Sequence, residues 1–348
     1  MRIGGMQAMR PRQSDIARLA RVSQTTVSLT LNGKTAEYGI NRATEERIMS
    51  AARELGYVPN VTARALRGGR NCLLGVHAYE SLFPTSRESY YEEILVGIEQ
   101  GAIRTGQDLV LFTSVHSGQG RASIFDGGRN RLKIADGTLI IGFDQHDDEL
   151  VRLAEEGFPF VFIGRREKPA ALGPYVTADY VGAVRSVAAQ VRSLGHRRVA
   201  YLGLPDYIEP RLERREGFAR GVEEHDLTVA GQSFGHLEGP HERWVQEMVE
   251  SGATALLVEG SAQLETVAQR CDAAGLRIPD DLSVIGLDSI TDPATSSRHW
   301  THVRVPRREM GSRAVELLLE FIDGVHGPAY HERLPCTFEE GETFCPRS

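Results

Sequence analysis

The chain has 348 residues, 41% of them hydrophobic and 25% charged, a composition that fits a globular protein of about two or three domains. It has no apolar run near the roughly 20 residues that cross a bilayer, and its N-terminus lacks the apolar core of a secretory signal. We therefore expect a cytoplasmic protein with reduced thiols, no metal site and no cofactor. The scattered cysteines are Cys72, Cys271, Cys336 and Cys345.

Charge is divided unevenly along the chain. Residues 1–70 contain 12 Lys and Arg against 5 Asp and Glu, whereas the net charge of the whole chain is −7. A basic N-terminal piece on an acidic remainder is typical of a small polyanion-binding head attached to a domain with another role. A solvated charged surface is the alternative interpretation.

Residues 14–32, SDIARLARVSQTTVSLTLN, predict two short helices joined by a tight turn. The buried side of the first helix is expected to consist of Ile16, Ala17, Leu19 and Ala20. The second helix, capped by Ser23, should pack through Val27 and Leu31 and expose small polar side chains. Such an exposed helix start suits the reading of base edges in a major groove, although an ordinary helical hairpin has similar spacing.

A third helix is predicted from Asn41 to Leu55, and a short basic segment follows over residues 61–70. In order and spacing, DIARLARVSQTTVSLTLN, TEERIMSAARELGYVPN and NVTARALRGG resemble the LacI/GalR family of bacterial transcriptional repressors. The resemblance implies a helix-turn-helix DNA-binding domain over 1–58 and a hinge helix with linker over 59–70. It implies an effector-binding and dimerisation domain over 71–348.

After the head, short apolar runs alternate with amphipathic helices. Strands are predicted at 72–78, 108–114, 137–142, 159–164, 198–203, 254–260 and 282–288. Helices are predicted at 90–105, 179–194, 214–224, 261–274 and 308–322. Apolar strands separated by helices indicate parallel sheets covered on both faces, and the length fits two doubly wound subdomains. Ligands of such sheets lie beyond the carboxyl ends of the strands, so a cleft between the subdomains is the expected binding site.

The body also resembles the periplasmic-sugar-binding-like core of the same family. The matching segments include ADYVGAVRSVAAQVRSLGHRRVAYLG, RREGFARGV, GLRIPDDLSVIGLDS and THVRVPRREMGSRAVELLLE. The expected fold class is thus an all-α helix-turn-helix head on an α/β body of periplasmic-binding-protein-like type. The resemblance further implies that the chain crosses between the subdomains several times, so that each subdomain is discontinuous.

The resemblance assigns effector contacts to Arg214, in an R-x-x-G-F pattern, and to Asp288, which ends a predicted strand. A guanidinium group suits bidentate contact with hydroxyl, carboxylate or phosphate oxygens. A salt bridge at the rim of the cleft, with Glu213 and other charged residues nearby, would also account for both residues. Further effector-binding candidates are Tyr90, Tyr91, Arg165 and Asp179.

Several of these candidates have a structural alternative. One of the two tyrosines could pack in the core, and Asp179 could simply cap the helix that it opens. Where the family commonly has Asn-Asp, this chain has Gly260 and Ser261 after Glu259. An expected amide donor is therefore missing, Glu259 could add a carboxylate, and the effector does not follow from any one relative.

The sequence predicts a sequence-specific DNA-binding transcriptional regulator, a repressor that binds a palindromic operator as a homodimer and responds to a small effector. A sugar or sugar derivative is the expected effector. Gln24 and Thr25 are the expected base contacts. The resemblance implies that Leu66 wedges into the minor groove when residues 61–66 fold on DNA, although Leu66 could instead pack only against its dimer partner. The other DNA-binding candidates are Ser23, Thr26, Ser28, Asn32, Thr44, Tyr57, Asn60 and Ala63.

Two other classes of protein remain as alternatives. A solute-binding protein without a DNA role would share the fold of the body, but the basic head and the apparent lack of a leader argue against it. A sugar-acting enzyme is the second alternative. No G-x-S-x-G, P-loop or H-E-x-x-H motif supports it.

Overall fold

The computed structural model describes residues 11–31, 33–57, 70–80, 90–113, 123–142, 147–165, 173–205, 208–235, 243–290 and 296–347. The chain divides into two compact units, Met1–Asn71 (unit 1) and Cys72–Ser348 (unit 2). Within the described ranges, no helix is long and apolar enough to span a membrane. Four predicted DNA-binding residues lie outside the described residues: Asn32, Asn60, Ala63 and Leu66.

The described residues of unit 1 form three helices, α1 (Gln13–Ala20), α2 (Gln24–Leu31) and α3 (Arg42–Glu54). Its small core contains at least one fully buried aliphatic residue from each helix. These residues are Ile16, Val27 and Ile48. Burial of such side chains is the main stabilising contribution available to so small a unit.

The turn between α1 and α2 follows from local chemistry. Arg21 adopts a left-handed conformation with φ of 52° and ends α1. Ser23 Oγ then accepts a hydrogen bond from Thr26 N at 3.0 Å, which confirms the predicted cap of α2. The prediction that Leu19 is buried is wrong, since it is 44% exposed. The buried face of α1 consists of Ile16, Ala17 and Ala20, and Leu19 lies outside this face.

The part of unit 2 that the structure describes contains two six-stranded sheets, here named sheet A and sheet B. The strands of sheet A are β1 (Leu73–Ala78), β2 (Asp108–Phe112), β5 (Gly137–Ile141), β6 (Phe160–Ile163), β7 (Tyr175–Ala178) and β13 (His331–Leu334). The strands of sheet B are β8 (Arg198–Gly203), β9 (Thr228–Phe234), β10 (Ala255–Val258), β11 (Ser283–Gly286), β12 (Thr301–Arg304) and β14 (Thr337–Glu339). A separate hairpin consists of β3 (Phe125–Asp126) and β4 (Arg129–Asn130).

The strand order confirms two doubly wound parallel sheets. Sheet A has the order β13-β7-β6-β5-β1-β2, with every neighbouring pair parallel. Sheet B has the order β14-β12-β11-β10-β8-β9. At its edge β14 runs antiparallel to β12, and all its other neighbouring pairs are parallel. The carboxyl ends of the parallel strands in each sheet therefore share one edge, where ligands of such sheets bind.

Helices cover both faces of each sheet. The described helices of unit 2 are α4 (Tyr90–Thr105), α5 (Asp147–Glu155), α6 (Tyr180–Ser193), α7 (Glu209–Glu224), α8 (Trp244–Glu250), α9 (Ser261–Ala273) and α10 (Arg307–Ile322). Sheet A packs against α4 and α10 through residues such as Ile98 and Met310, and against α5 through Leu153. Sheet B packs against α8 and α9 on one face and against α6 and α7 on the other. Because both faces are covered, the central strands are apolar throughout.

The chain crosses between the two sheets three times in the described residues. It passes from β7 to α6, from β12 back to α10, and from β13 to β14. Each sheet is therefore assembled from separate stretches of chain. The crossings also bring side chains from distant parts of the sequence to the same edge of the sheets.

The buried His196 connects Cys345, close to the C-terminal end of the described residues, to sheet B. This histidine is 1% exposed. Its Nε2 lies 2.9 Å from the carbonyl of Cys345, and its Nδ1 lies 2.9 Å from Thr254 Oγ1. Burial lowers the pKa of His196, although the hydrogen bond to Cys345 opposes this effect. A neutral ring protonated at Nε2 satisfies both contacts.

We therefore expect unit 2 to lose stability in mild acid. Because the pKa of His196 is lowered by folding, its stabilising effect is complete above the ordinary histidine pKa of about 6.5 and is lost as the pH falls through the folded-state pKa. The melting temperature of the wild type should fall from about pH 7.5 to about pH 5 more steeply than that of His196→Gln. The exposed His299 supplies the control, His299→Gln, which should follow the wild type. If the melting temperatures of all three proteins fell equally with pH, the expectation would be contradicted.

Candidate functional site

The exposed start of α2 is the candidate DNA-contacting surface of unit 1. Gln24 and Thr25 are exposed, and Thr26 and Ser28 are half-buried. Ser23 Oγ lies 2.8 Å from Thr26 Oγ1, so these two hydroxyl groups hold each other at the first turn. The result is a rigid helix start with small donors and acceptors on its surface, which suits contact with base edges and phosphates.

Two other DNA-binding candidates lie on or after α3. The Thr44 backbone N–H donates to Asn41 Oδ1 at 2.8 Å, and its hydroxyl lies 3.4 Å from Arg47 Nη2. Tyr57 is half-buried against the core of unit 1. Thr44 is thus placed beside an exposed arginine at a helix N-terminus, an arrangement that favours a bound phosphate. Their contact with DNA stays a prediction.

Arg214 and Asp288 lie together in unit 2. Asp288 follows β11 at the carboxyl edge of sheet B, and Arg214 comes from α7. Arg214 Nη2 lies 3.0 Å from Asp288 Oδ2, and Arg214 Nε donates to the Leu287 carbonyl at 2.9 Å. The guanidinium group also stacks over the ring of Tyr180, with its carbon 4.6 Å from the ring centroid. Arg214 is 4% exposed, so these contacts fix its orientation.

A second arginine shares the same carboxylate. Arg307, the first residue of α10, donates from Nη2 to Asp288 Oδ1 at 2.5 Å. Burial would raise the pKa of Asp288, but the charges of Arg214 and Arg307 outweigh it, and the pKa lies below the ordinary value. Asp288 is therefore ionised at neutral pH. We name Arg214, Asp288 and Arg307 the Asp288 cluster.

A parallel arrangement involves the residue before Arg214. Glu213 is 3% exposed, and its Oε1 accepts from Arg165 Nη1 at 2.7 Å and from Arg333 Nη2 at 3.0 Å. Arg165 comes shortly after β6 and Arg333 lies in β13. Both strands belong to sheet A, whereas α7 packs on sheet B. We name Arg165, Glu213 and Arg333 the Glu213 cluster. It joins the two sheets at the carboxyl edge of sheet A.

Two of the other predicted effector-binding residues, Asp179 and Tyr91, make contacts within the fold. Asp179 accepts a hydrogen bond from Gly182 N at 3.0 Å and so caps α6. Tyr91 is 6% exposed, packs in the core of sheet A and donates its hydroxyl to Glu80 at 2.9 Å. Tyr90 is the first residue of α4, and its side chain lies outside the described part of the structure. Effector contacts by these three residues stay predictions.

Glu259 is occupied by contacts within sheet B. It is 1% exposed and accepts from the Tyr201 hydroxyl and from Leu204 N, both at 2.6 Å. Burial, together with the nearby Glu259 carboxylate, raises the pKa of Tyr201. These contacts tie the end of β8 to the end of β10. Glu259 therefore supports the ends of these strands and does not present an unpaired carboxylate.

Sequence reasoning missed Arg307 as a site residue and treated Glu213 only as a source of rim salt bridges. Their partners lie far away along the chain, so no local spacing indicates either cluster. Together the clusters place guanidinium donors and carboxylate acceptors at the edges of both sheets, which suits a ligand rich in hydroxyl groups. In the described part of the chain, no group of three or more His, Cys, Asp or Glu residues is placed to hold a metal ion.

Residues 14–60 match the family described as "Bacterial regulatory proteins, lacI family", and residues 188–344 match the "Periplasmic binding protein-like domain". The chain is 30% identical over 324 residues to an uncharacterized HTH-type transcriptional regulator in the aml 5′ region of Streptomyces limosus, covering 90% of this chain and 88% of the relative. The fold is similar to that of the lac repressor dimer bound to operator and the anti-inducer ONPF, with a TM-score of 0.73, 22% identity and coverage of 97% and 100% of the two chains. It is also similar to a complex of the transcriptional regulator CelR with cellobiose, with a TM-score of 0.62, 24% identity and coverage of 96% and 100%.

Proposed function

This chain belongs to the LacI family of bacterial transcriptional regulators, and on that premise we propose that it is a repressor controlled by a carbohydrate bound in unit 2. It regulates transcription by binding DNA through its helix-turn-helix. The observation that carries the effector part of the proposal is the 3.0 Å pair of Arg214 and Asp288 at the carboxyl edge of sheet B. A fixed guanidinium group beside an ionised carboxylate both donates to and accepts from neighbouring hydroxyls, as a sugar requires.

The DNA-binding form is proposed to be a homodimer acting in the cytoplasm. Two copies related by a two-fold axis match an operator whose half-sites share that symmetry. Gln24 and Thr25 would read bases, and Leu66 would enter the minor groove between the two heads. In this proposal, unit 2 has no catalytic role and acts only by binding.

A related structure supports a carbohydrate rather than another small molecule. The regulator CelR, whose fold is similar, forms a complex with cellobiose. Its identity to this chain is 24%, so that sugar is a first probe and not an assignment. The mixed arginine and carboxylate groups of the two clusters fit the hydroxyls of a mono- or disaccharide.

The proposal is tested by measuring sugar binding and operator binding on the same protein. A duplex selected from a random library by the full-length chain serves as the operator. We expect at least one of ribose, glucose, galactose, cellobiose, maltose and melibiose to raise the melting temperature by mass action. The same sugar should change operator affinity by about tenfold, a typical coupling between two sites. No thermal shift with any of the six sugars, or a shift without any change in operator affinity, would contradict the proposal.

A further inference from the structure

The Glu213 cluster is more than a salt bridge between the sheets. We propose that it is a second carbohydrate-contacting subsite, in which Glu213 accepts a hydrogen bond from a sugar hydroxyl that the Asp288 cluster does not reach. This inference rests on the proposed function, because it assumes that unit 2 binds a carbohydrate. It adds Glu213 and Arg333 to the binding residues and gives Arg165 a defined partner.

The first observation is the way in which the Glu213 carboxylate is used. Both arginines donate to the same oxygen, Oε1, while Oε2 is buried and has no hydrogen-bond partner among the residues that the structure describes. Arginine–carboxylate pairs are frequently bidentate and use both oxygens, whereas here Oε2 is left as an acceptor. A buried acceptor without a donor destabilises the protein, so a ligand hydroxyl that donates to Oε2 would remove this cost.

The second observation is the position of the cluster. Glu213 is buried, but the side chains of Arg165 and Arg333 are 34% and 37% exposed, so the cluster is open on its arginine side. Glu213 directly precedes Arg214 on α7, and Arg165 comes shortly after the carboxyl end of β6. The cluster thus lies where the edge of sheet A meets the helix that carries the first effector contact.

The chemistry of the cluster selects its ligand. A phosphate or a carboxylate accepts from the two arginines but has no proton to donate to the Glu213 carboxylate, whereas an ammonium group donates to the carboxylate but cannot accept from the arginines. A hydroxyl group can donate to the carboxylate and accept from a guanidinium group at the same time. The cluster therefore fits a sugar hydroxyl. Because its residues come from both sheets, that contact would also tie the sheets together around the ligand.

Glu213→Gln tests the assignment, because it keeps the shape of the side chain and removes the charged acceptor. For cellobiose, and for each of the other five sugars that binds the wild type, we expect Kd to rise by roughly ten- to a hundredfold, the usual effect of losing a hydrogen bond to a charged group. The matched control is Glu216→Gln on the same helix, where Glu216 is 43% exposed and pairs with Arg220. Its Kd should stay within about twofold of wild type.

Deoxy analogues separate direct contact from a purely structural role. If Glu213 binds one hydroxyl, the monodeoxy analogue lacking that hydroxyl should bind the wild type about as weakly as the parent sugar binds Glu213→Gln. Glu213→Gln should bind the same analogue with nearly the Kd that it has for the parent sugar, since the hydrogen bond is already absent from the variant. A structural role would instead weaken the parent sugar and all its analogues by the same factor.

The outcomes distinguish this inference from the proposed function. If none of the six sugars binds the wild type, the proposed function fails and the inference fails with it. If sugars bind and depend on Arg214 but bind Glu213→Gln with the wild-type Kd, only the inference is wrong. Should Glu213→Gln not fold, Arg333→Gln replaces it, because Arg333 is exposed and its substitution removes one of the two arginine donors to Glu213. An unchanged Kd in Arg333→Gln would then overturn the inference.

Discussion

Removal of unit 1 is expected to abolish sequence-specific DNA binding and to leave a folded unit 2 that still binds carbohydrate. Each unit has its own hydrophobic core, and the cores of sheets A and B contain residues of unit 2. A chain of residues 72–348 should therefore melt cooperatively and keep the sugar affinity of the full-length protein. Fluorescence anisotropy with the selected operator measures the loss of DNA binding, and calorimetry measures the sugar. Specific operator binding by the truncated chain would show that the assignment of DNA contacts to unit 1 is wrong.

The physical reason is the concentration of positive charge in residues 1–70. Operator affinity of the full-length chain should fall steeply with salt, by a slope of about −0.9 per phosphate neutralised, because bound counterions are released. Sequence reading should depend on the start of α2. Changing Gln24 and Thr25 to Ala together should weaken specific binding by about tenfold or more and leave non-specific binding nearly unchanged. The exposed Ser50 of α3 supplies the control, Ser50→Ala.

Much of the fold can be predicted from the sequence because central strands of a covered parallel sheet are continuous apolar runs. All seven predicted strands are present, each at its expected place and shortened by at most three residues. The strands that escape prediction are short or polar: β3, β4, β7, β9, β12, β13 and β14. Edge strands such as β13, HERL, and β14, TFE, bury little and so leave no hydrophobic pattern. The prediction also begins α7 at Arg214, whereas the helix begins at Glu209, before a proline that is well tolerated in a first turn.

The candidate site is less predictable than the fold. Arg214 and Asp288 are identifiable through a family resemblance, and they lie 3.0 Å apart. Arg307 and Glu213 cannot be identified as site residues from the sequence, because their contacts depend on the crossings of the chain between the two sheets. Glu213 meets Arg165 and Arg333, which are separated from it by 48 and 120 positions. Long-range pairs of this kind leave no periodic signal in a single sequence, whereas helix caps such as Ser23 do.

Asp288→Asn is expected to have the largest effect of any single substitution in unit 2. The change leaves Arg214 and Arg307, which are 4% and 8% exposed, without the carboxylate that they share. Removing one partner of a buried ion pair commonly costs about 3 kcal/mol or more in the free energy of unfolding. Sugar affinity should fall by at least about tenfold as well, because the ionised acceptor at the edge of sheet B is lost.

Acid should mimic this substitution in the wild type, and the sign of the effect follows from the pKa. Because the pKa of Asp288 is lowered in the folded protein, its contribution is complete above the ordinary aspartate pKa of about 3.9 and is lost as the pH falls through the folded-state value. The difference in the free energy of unfolding between wild type and Asp288→Asn, measured by urea unfolding, should therefore be smaller near pH 3 than near pH 7. The control is Asp272→Asn, since Asp272 is 65% exposed in its pair with Arg298 and should behave as wild type at both pH values. A stability loss in Asp288→Asn no larger than in Asp272→Asn would mean that the two buried arginines are stabilised by groups other than Asp288.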